Sequence, residues 1–257
     1  MNNFFLNISI AVIMERWQGR VAVVTGASSG IGAAIAEELV KKGLNVVGLA
    51  RRVERIRDLA TSLLREAGKL HAFRCDVSRE EEVKTAFEWV KYNLGGVDIL
   101  VNNAGCVNHH SLIEGPMDAW REIMDLNVLG LCMCTQQALQ IMKENEVNDG
   151  HIIHINSIYG HYTPSIDYSC YVYAASKHAV TALTEGLRRE LLKEKSKIRI
   201  SSISPGLVET ELIPHQLLKG LVHLQPKDVA DCVVYVLGAP PHVQVHELTV
   251  RPVGDVL

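Results

Sequence analysis

Tyr173 and Lys177 stand four residues apart, sixteen residues beyond Ser157 and far downstream of a turn that carries Gly26, Gly30 and Gly32. On a helix that spacing sets phenol and ammonium on one face, where the cation favours the ionised phenol. A free tyrosine, with a pKa of about 10, exchanges protons poorly at neutral pH. Brought down toward neutrality by the neighbouring ammonium and by a cationic nicotinamide, it becomes a general acid/base. The chemistry these residue types suit is proton transfer coupled to movement of a hydride. Tyr92, Tyr159, Tyr162, Tyr168, Tyr171 and Tyr235 each lack a lysine four residues on, which leaves Tyr173 as the candidate.

The glycines lie in VAVVTGASSGIGAAIAEELV, at the junction of an apolar run and an amphipathic one, with the spacing GxxxGxG. Glycine lets a backbone turn tightly and approach a pyrophosphate, and a helix start offers free amides to its charge. Gly26, Ser28, Ser29, Gly30, Ile31 and Gly32 are therefore candidate cofactor contacts, with a plain tight turn as the alternative. The next apolar run ends VVGLARRVER. Where a dinucleotide fold that binds NAD carries an acid for the ribose hydroxyls, this chain has Ala50, followed by Arg51 and Arg52. Two guanidinium groups suit a 2′-phosphate, so NADP(H) is the expected cofactor; a solvated arginine pair is the plain reading. Asp76 and Val77 fit an adenine edge, or a helix cap, and Asn103, Ala104 and Gly105 fit the floor of a cofactor groove, or a structural turn.

The elements that must hold these residues alternate regularly. Strands are expected near Arg20–Val24, Asn45–Ala50, His71–Asp76, Asp98–Asn102, Gly150–Asn156, Ile198–Ser204 and His246–Val250. Helices are expected over Ile31–Lys42, Glu54–Ala67, Glu80–Leu94, Met117–Asn145, Tyr173–Lys193 and Lys227–Leu237, with a short one near Pro214–Lys219. The pattern predicts the α/β class: a single-domain, doubly wound Rossmann fold whose seven-stranded parallel sheet carries helices on both faces. Ligands of such sheets bind at the carboxyl ends of the strands, where the winding reverses.

A chain of 257 residues with 47% hydrophobic content buries one large core, so a single domain over residues 14–257 is expected. The net charge of −3 gives no footprint for nucleic acid. The cysteines form no CxxC and no ligand-spaced partnership with histidine, which predicts no metal site and a reducing, cytoplasmic setting. Residues 1–13 read as an extension ahead of an alternative start at Met14. The apolar run Phe4–Met14 is eleven residues long, too short for the roughly 20 that cross a bilayer. A weak membrane contact is the alternative there, and the Asn7-Ile8-Ser9 sequon carries little weight.

Taken together, TGASSGIG, NNAG, Asn127 within LNV, Ser157, Tyr173-Ala-Ala-Ser-Lys177 and Pro205-Gly206 resemble the short-chain dehydrogenase/reductase family from Met14 onward. Within it, MERWQGRVAVVTGASSGIGAAIA, AVTALTEGLRREL and DVADCVVYVLGAPPHVQVHELTVRP look closest to the insect NADP-dependent farnesol dehydrogenase branch. They are also similar to a vertebrate branch whose substrates include keto-steroids. The resemblance implies that Tyr173 exchanges the substrate proton and that Lys177 depresses its pKa and holds the nicotinamide ribose. It implies further that Ser157 bonds the reacting oxygen and that Asn127 holds a water of a proton relay. Pro205, Gly206, Val208 and Thr210 match the segment that closes over the nicotinamide.

Only fifteen residues, ELIPHQLLKGLVHLQ, separate Thr210 from Pro226, where relatives carry a longer helical lid. Leu212 and Ile213 there offer an apolar wall, and His161, Tyr162 and Tyr168 in the tyrosine-rich stretch after Ser157 an opposite one. His109 and His110 read as surface. The expected substrate is a small hydrophobic alcohol or its carbonyl counterpart, of the farnesol type. The alternatives are a keto-steroid or broad-specificity carbonyl reductase and a non-catalytic NADPH-binding redox sensor. A homodimer or homotetramer built on the helices of Met117–Asn145 and Tyr173–Lys193 would accompany catalysis.

Overall fold

The computed structural model describes residues 14–165, 169–213 and 218–255. In strand β1, Val21–Thr25, every residue is buried, and the side chains alternate between two separate cores. Val21 and Val23 enter one, Ala22 and Val24 the other. The same period of two divides Val46 from Val47 in β2 (Asn45–Ala50) and Ile99 from Leu100 in β4 (Ile99–Asn102). It recurs in β5 (His151–Ile155), where Ile152 and Ile153 part company, and in β6 (Arg199–Pro205), where Ile200 and Ile203 do. Continuous apolar runs are what a parallel sheet covered on both faces requires.

With β3 (Lys69–Arg74) and β7 (Glu247–Val250) the sheet has seven strands, all parallel, in the order β3-β2-β1-β4-β5-β6-β7. The chain works outward from β1 through β2 to β3, then returns to the other side of β1 with β4. The reversal opens a crevice between the ends of β1 and β4. On one face lie α1 (Gly30–Lys41) and, paired with it, the helix Pro226–Leu237; on the other lie α3 (Glu80–Leu94) and the helix Leu131–Glu144. Helix α2, Val53–Ser62, links β2 to β3.

The expected fold holds, with local differences that have physical reasons. The helix expected over Glu54–Ala67 stops at Ser62 and β3 starts at Lys69, because the chain must bring Lys69 into register with Asn45. Gly68 makes that approach: a Cβ there would stand 2.1 Å from the carbonyl oxygen of Leu44. The helix expected over Met117–Asn145 is three pieces: α4 (Met117–Met124), a π-helical turn (Asp125–Gly130) and α5 (Leu131–Glu144). Helix α6 runs Tyr171–Lys193, beginning a little before Tyr173, and α7 is Pro226–Leu237. Most of the short helix expected near Pro214–Lys219 lies outside the described residues, as does the extension over residues 1–13. Among the described residues no helix is long and apolar enough to cross a membrane, and no cluster of metal-ligating side chains occurs.

Candidate active site

The carboxyl ends of β1, β2, β3, β4, β5 and β6 open onto one cavity of about 530 Å3. That volume is in the range of small-molecule and cofactor sites. Its lining includes Gly26, Arg51, Asp76, Asn103, Ser157 and Gly206, each within two residues of the end of its strand.

The glycine turn is shaped by close approach. Gly26 has φ +69° and Gly30 φ +55°, the left-handed region that favours glycine, and a Cβ on Gly26 would stand 2.9 Å from the Cα of Ala104. Ser29 stands at the N-cap of α1 in extended conformation with no side-chain cap bond, and this helix start lines the cavity through Ser28, Ser29, Gly30 and Ile31. Gly32 does not line the cavity. A Cβ there would meet the Asn103 side-chain nitrogen and the Gly26 carbonyl oxygen, each at 2.4 Å, so this position is where helix, turn and β4 loop close-pack. Thr25 fixes the loop after β4: its Oγ1 accepts from the amides of Asn103 and Ala104 at 3.0 and 2.9 Å. The Asn103 side chain donates back to the Thr25 carbonyl at 2.8 Å.

At the far end of the cavity Tyr173, Lys177 and Ser157 meet. The Lys177 ammonium lies 5.7 Å from the centre of the Tyr173 ring and donates to the Ile155 carbonyl at 2.9 Å. Burial of the phenol opposes the depression expected of an ammonium and a nicotinamide cation together. Burial pushes the Tyr173 phenol up to about 12, and the Ser157 hydroxyl beside it works the other way. Burial likewise brings Lys177 down to about 8. The spacing does juxtapose the two groups, but desolvation without a counter-ion disfavours both charged forms. Asn127, 2% exposed in the π-helical turn, makes three hydrogen bonds to protein, two donated and one accepted. Its Oδ1 accepts from the Cys106 amide at 2.8 Å, and its Nδ2 donates to the Cys106 carbonyl at 2.9 Å and to Ser176 Oγ at 3.1 Å.

Ser28, Ile31, Arg52, Val77, Ala104, Gly105, Pro205, Val208, Thr210, Leu212 and Ile213 all reach the cavity. Asp76 reaches it too, while its Oδ1 accepts from the Ser78 amide and hydroxyl. His161 and Tyr162 do not line it. His161 is tied instead to Ser204 Oγ at 3.0 Å and to Glu247 at 3.4 Å, beneath β6 and β7, and Tyr162 is 58% exposed. Tyr168 lies outside the described residues. His109, exposed as expected, borders the cavity nonetheless. Cys106 and Cys170 also line the wall near Tyr173. Cys106 directly follows the Asn103-Ala104-Gly105 motif, which could have flagged it.

The family model of the short chain dehydrogenases matches residues 20–217. The chain belongs to the short-chain dehydrogenase/reductase family. Its oxidoreductase character is that family's. Farnesol dehydrogenase of Aedes aegypti is 53% identical over 247 residues, covering 94% of this chain and 99% of that protein. Dehydrogenase/reductase SDR family member 11 of Mus musculus is 47% identical over 255 residues, covering 95% and 98%. Among solved structures, an alcohol dehydrogenase of Thermococcus sibiricus complexed with 5-hydroxy-NADP superposes with a TM-score of 0.83 at 28% identity, covering 93% of this chain and 99% of that one. A short-chain dehydrogenase of Burkholderia cenocepacia in complex with NADP gives 0.82 at 29%, covering 92% and 98%. A short-chain dehydrogenase's cavity has to admit a dinucleotide, and the one here fits: it is lined by glycines where a Cβ would collide, by a helix start and two arginines, and by the phenol of Tyr173, the ammonium of Lys177 and the hydroxyl of Ser157.

Proposed function

We propose that this protein is an NADP(H)-dependent oxidoreductase that interconverts a small hydrophobic alcohol of the farnesol type and its carbonyl form. The observation that carries the reading is that Ser157, Tyr173 and Lys177 share one cavity with the glycine turn and with Arg51 and Arg52. A bound nicotinamide supplies or accepts the hydride. The chain's own residues handle the proton and the charge. In reduction the Tyr173 phenol, protonated at neutral pH, gives its proton to the substrate oxygen, and in oxidation it takes one back. Ser157 donates a hydrogen bond to the same oxygen as negative charge grows there. Lys177, held by the Ile155 carbonyl, keeps a positive charge near the phenol and eases its ionisation once the proton has left. Asn127 acts through the backbone of Cys106, fixing the wall opposite.

Arg51 and Arg52, with Ala50 where an acid would serve NAD, favour the 2′-phosphate, and solved relatives with NADP in their sites support that choice. The farnesol preference leans on the Aedes aegypti relative and on the apolar Leu212 and Ile213. A keto-steroid or broad carbonyl reductase, the alternative that the vertebrate resemblance implies, is the second reading, and the murine relative is named only as a dehydrogenase/reductase. Exposed Met117, Met124, Leu129 and Leu192 on α4, the π-helical turn and α6 support a homodimer or homotetramer through those elements.

The test is NADP+-linked oxidation of farnesol, geraniol, retinol and a steroid alcohol, side by side, on wild type and Tyr173→Phe. Farnesol should lead, and the variant should lose nearly all turnover while still binding NADPH. Equal rates on all four remove the farnesol assignment. A tenth of the rate surviving in the variant removes Tyr173 from the proton step.

A further inference from the structure

The arginines at the adenosine end of the cavity already face an anion. Arg52, at the start of α2, gives Nη2 to Ser29 Oγ at 2.9 Å and to Glu211 Oε2 at 2.9 Å. Arg55, three residues along α2, holds the other carboxylate oxygen of Glu211. Between them the two guanidinium groups hold the Glu211 carboxyl below the usual carboxylate range, so it is ionised at neutral pH. Glu211 belongs to the segment after β6. Its neighbour Thr210 packs over the glycine turn, with Cγ2 3.2 Å from where a Cβ on Gly30 would stand. The segment therefore crosses the groove and plants a carboxylate on α2 from the opposite side, and Arg51, Arg52 and Glu211 line the same cavity. An oxyanion held between two guanidinium groups beside a serine hydroxyl is the setting a phosphate monoester prefers.

We propose that Glu211 is a built-in competitor for the 2′-phosphate of the dinucleotide, and so a residue that sets how strongly the protein prefers phosphorylated over unphosphorylated cofactor. The inference rests on the NADP(H) reading above. A phosphate dianion at Arg52 displaces the Glu211 carboxylate from that guanidinium, since the two anions repel and want the same donors. Arg55 keeps hold of the displaced carboxylate. The pair is half-exposed, at 51% for each partner, so the handicap is modest, about fivefold in affinity.

The test is a set of binding titrations on the full chain, wild type and Glu211→Gln, with 2′,5′-ADP and 5′-AMP by calorimetry and with NADPH and NADH by fluorescence. The variant should bind 2′,5′-ADP and NADPH about fivefold more tightly while 5′-AMP and NADH stay unchanged. No change, an equal shift for all four ligands, or weaker binding of the phosphorylated pair overturns the inference. The last of these would mean that the carboxylate holds Arg52 in place for the phosphate. Equal affinity of the wild type for 2′,5′-ADP and 5′-AMP refutes the NADP(H) reading itself, a failure that shows before any variant is made.

Discussion

Replacing Asn127 with alanine should reveal how much one amide contributes to holding the site. The side chain is 2% exposed, and it makes three hydrogen bonds, two with the backbone of Cys106 and one with Ser176. Ser176 Oγ keeps a partner after the substitution, because it also donates to the Tyr173 carbonyl at 2.7 Å. The amide and the carbonyl of Cys106 lose theirs. A buried backbone group left unpaired costs about 1–3 kcal/mol, and Cys106 is only half-buried, so about 2–4 kcal/mol is expected for the two. For a chain of this size that lowers Tm by about 5–15 °C. Because Cys106 lines the cavity beside Tyr173, turnover should fall by about tenfold or more through misplacement of that wall. Asn127→Asp separates the donor role from the acceptor role. Its carboxylate still accepts from the Cys106 amide but faces the Cys106 carbonyl with no proton to offer. Burial and that carbonyl raise the pKa of the introduced carboxyl. Its folded-state value then lies above the unfolded one, so the protonated form is the one folding favours. The variant should be near its best at low pH and lose stability relative to wild type as pH rises through the raised value. Thermal melts across pH, with turnover measured in parallel, check both variants. A Tm for the alanine variant within about 2 °C of wild type, or an aspartate variant no worse at pH 8 than at pH 5, refutes the account.

Three further outcomes follow from the same geometry. Reduction requires a protonated Tyr173 and a charged Lys177, so its kcat/KM should stay level through neutrality and fall as pH passes about 8, where Lys177 loses its proton. Lys177→Arg, whose guanidinium stays charged, should abolish the fall in whatever activity remains, and a wild-type reduction profile still flat near pH 10 would count against Lys177 as the group that titrates. Gly32→Ala forces a Cβ to within 2.4 Å of the Gly26 carbonyl, which is backbone and must shift; NADPH affinity should drop about tenfold by fluorescence titration, and unchanged affinity would show that the turn is not the phosphate cradle. Arg51→Asp should erase or invert the preference for NADPH over NADH in kcat/KM, whereas an unchanged ratio would assign the 2′-phosphate elsewhere.

How far the site could be read in advance depended on how local its causes are. The strands were legible because each is a short apolar run buried on both faces, and the glycine turn because its spacing sits between a strand and a helix. Tyr173 and Lys177 were legible as a pair because helical geometry brings residues four apart together. What spacing could not convey was solvent exclusion, which pushes the Tyr173 phenol up and opposes the depression expected of an ammonium and a nicotinamide cation together. The π-helical turn was hidden for a different reason. The apolar periodicity runs unbroken from Met117 to Glu144, while the amide of Asn127 in that turn bonds a backbone twenty-one positions upstream. His161 was placed in the cavity by its neighbours in sequence, yet its ring is claimed by Ser204 and Glu247 on strands much farther along.

Glu211 is the extreme case. Its partner Arg55 lies 156 positions away, so nothing local marks it apart from any other surface acid. Its importance comes from charge balance in three dimensions. Arg52, read from sequence as a donor waiting for phosphate, already serves a carboxylate, so a second anion arriving there meets its repulsion. On the reading proposed above, cofactor preference reflects both the arginines and a competition at Arg52 between two anions. The arginines alone would then not determine it, because the 2′-phosphate would meet a carboxylate delivered by the segment that also carries Leu212 and Ile213 to the cavity.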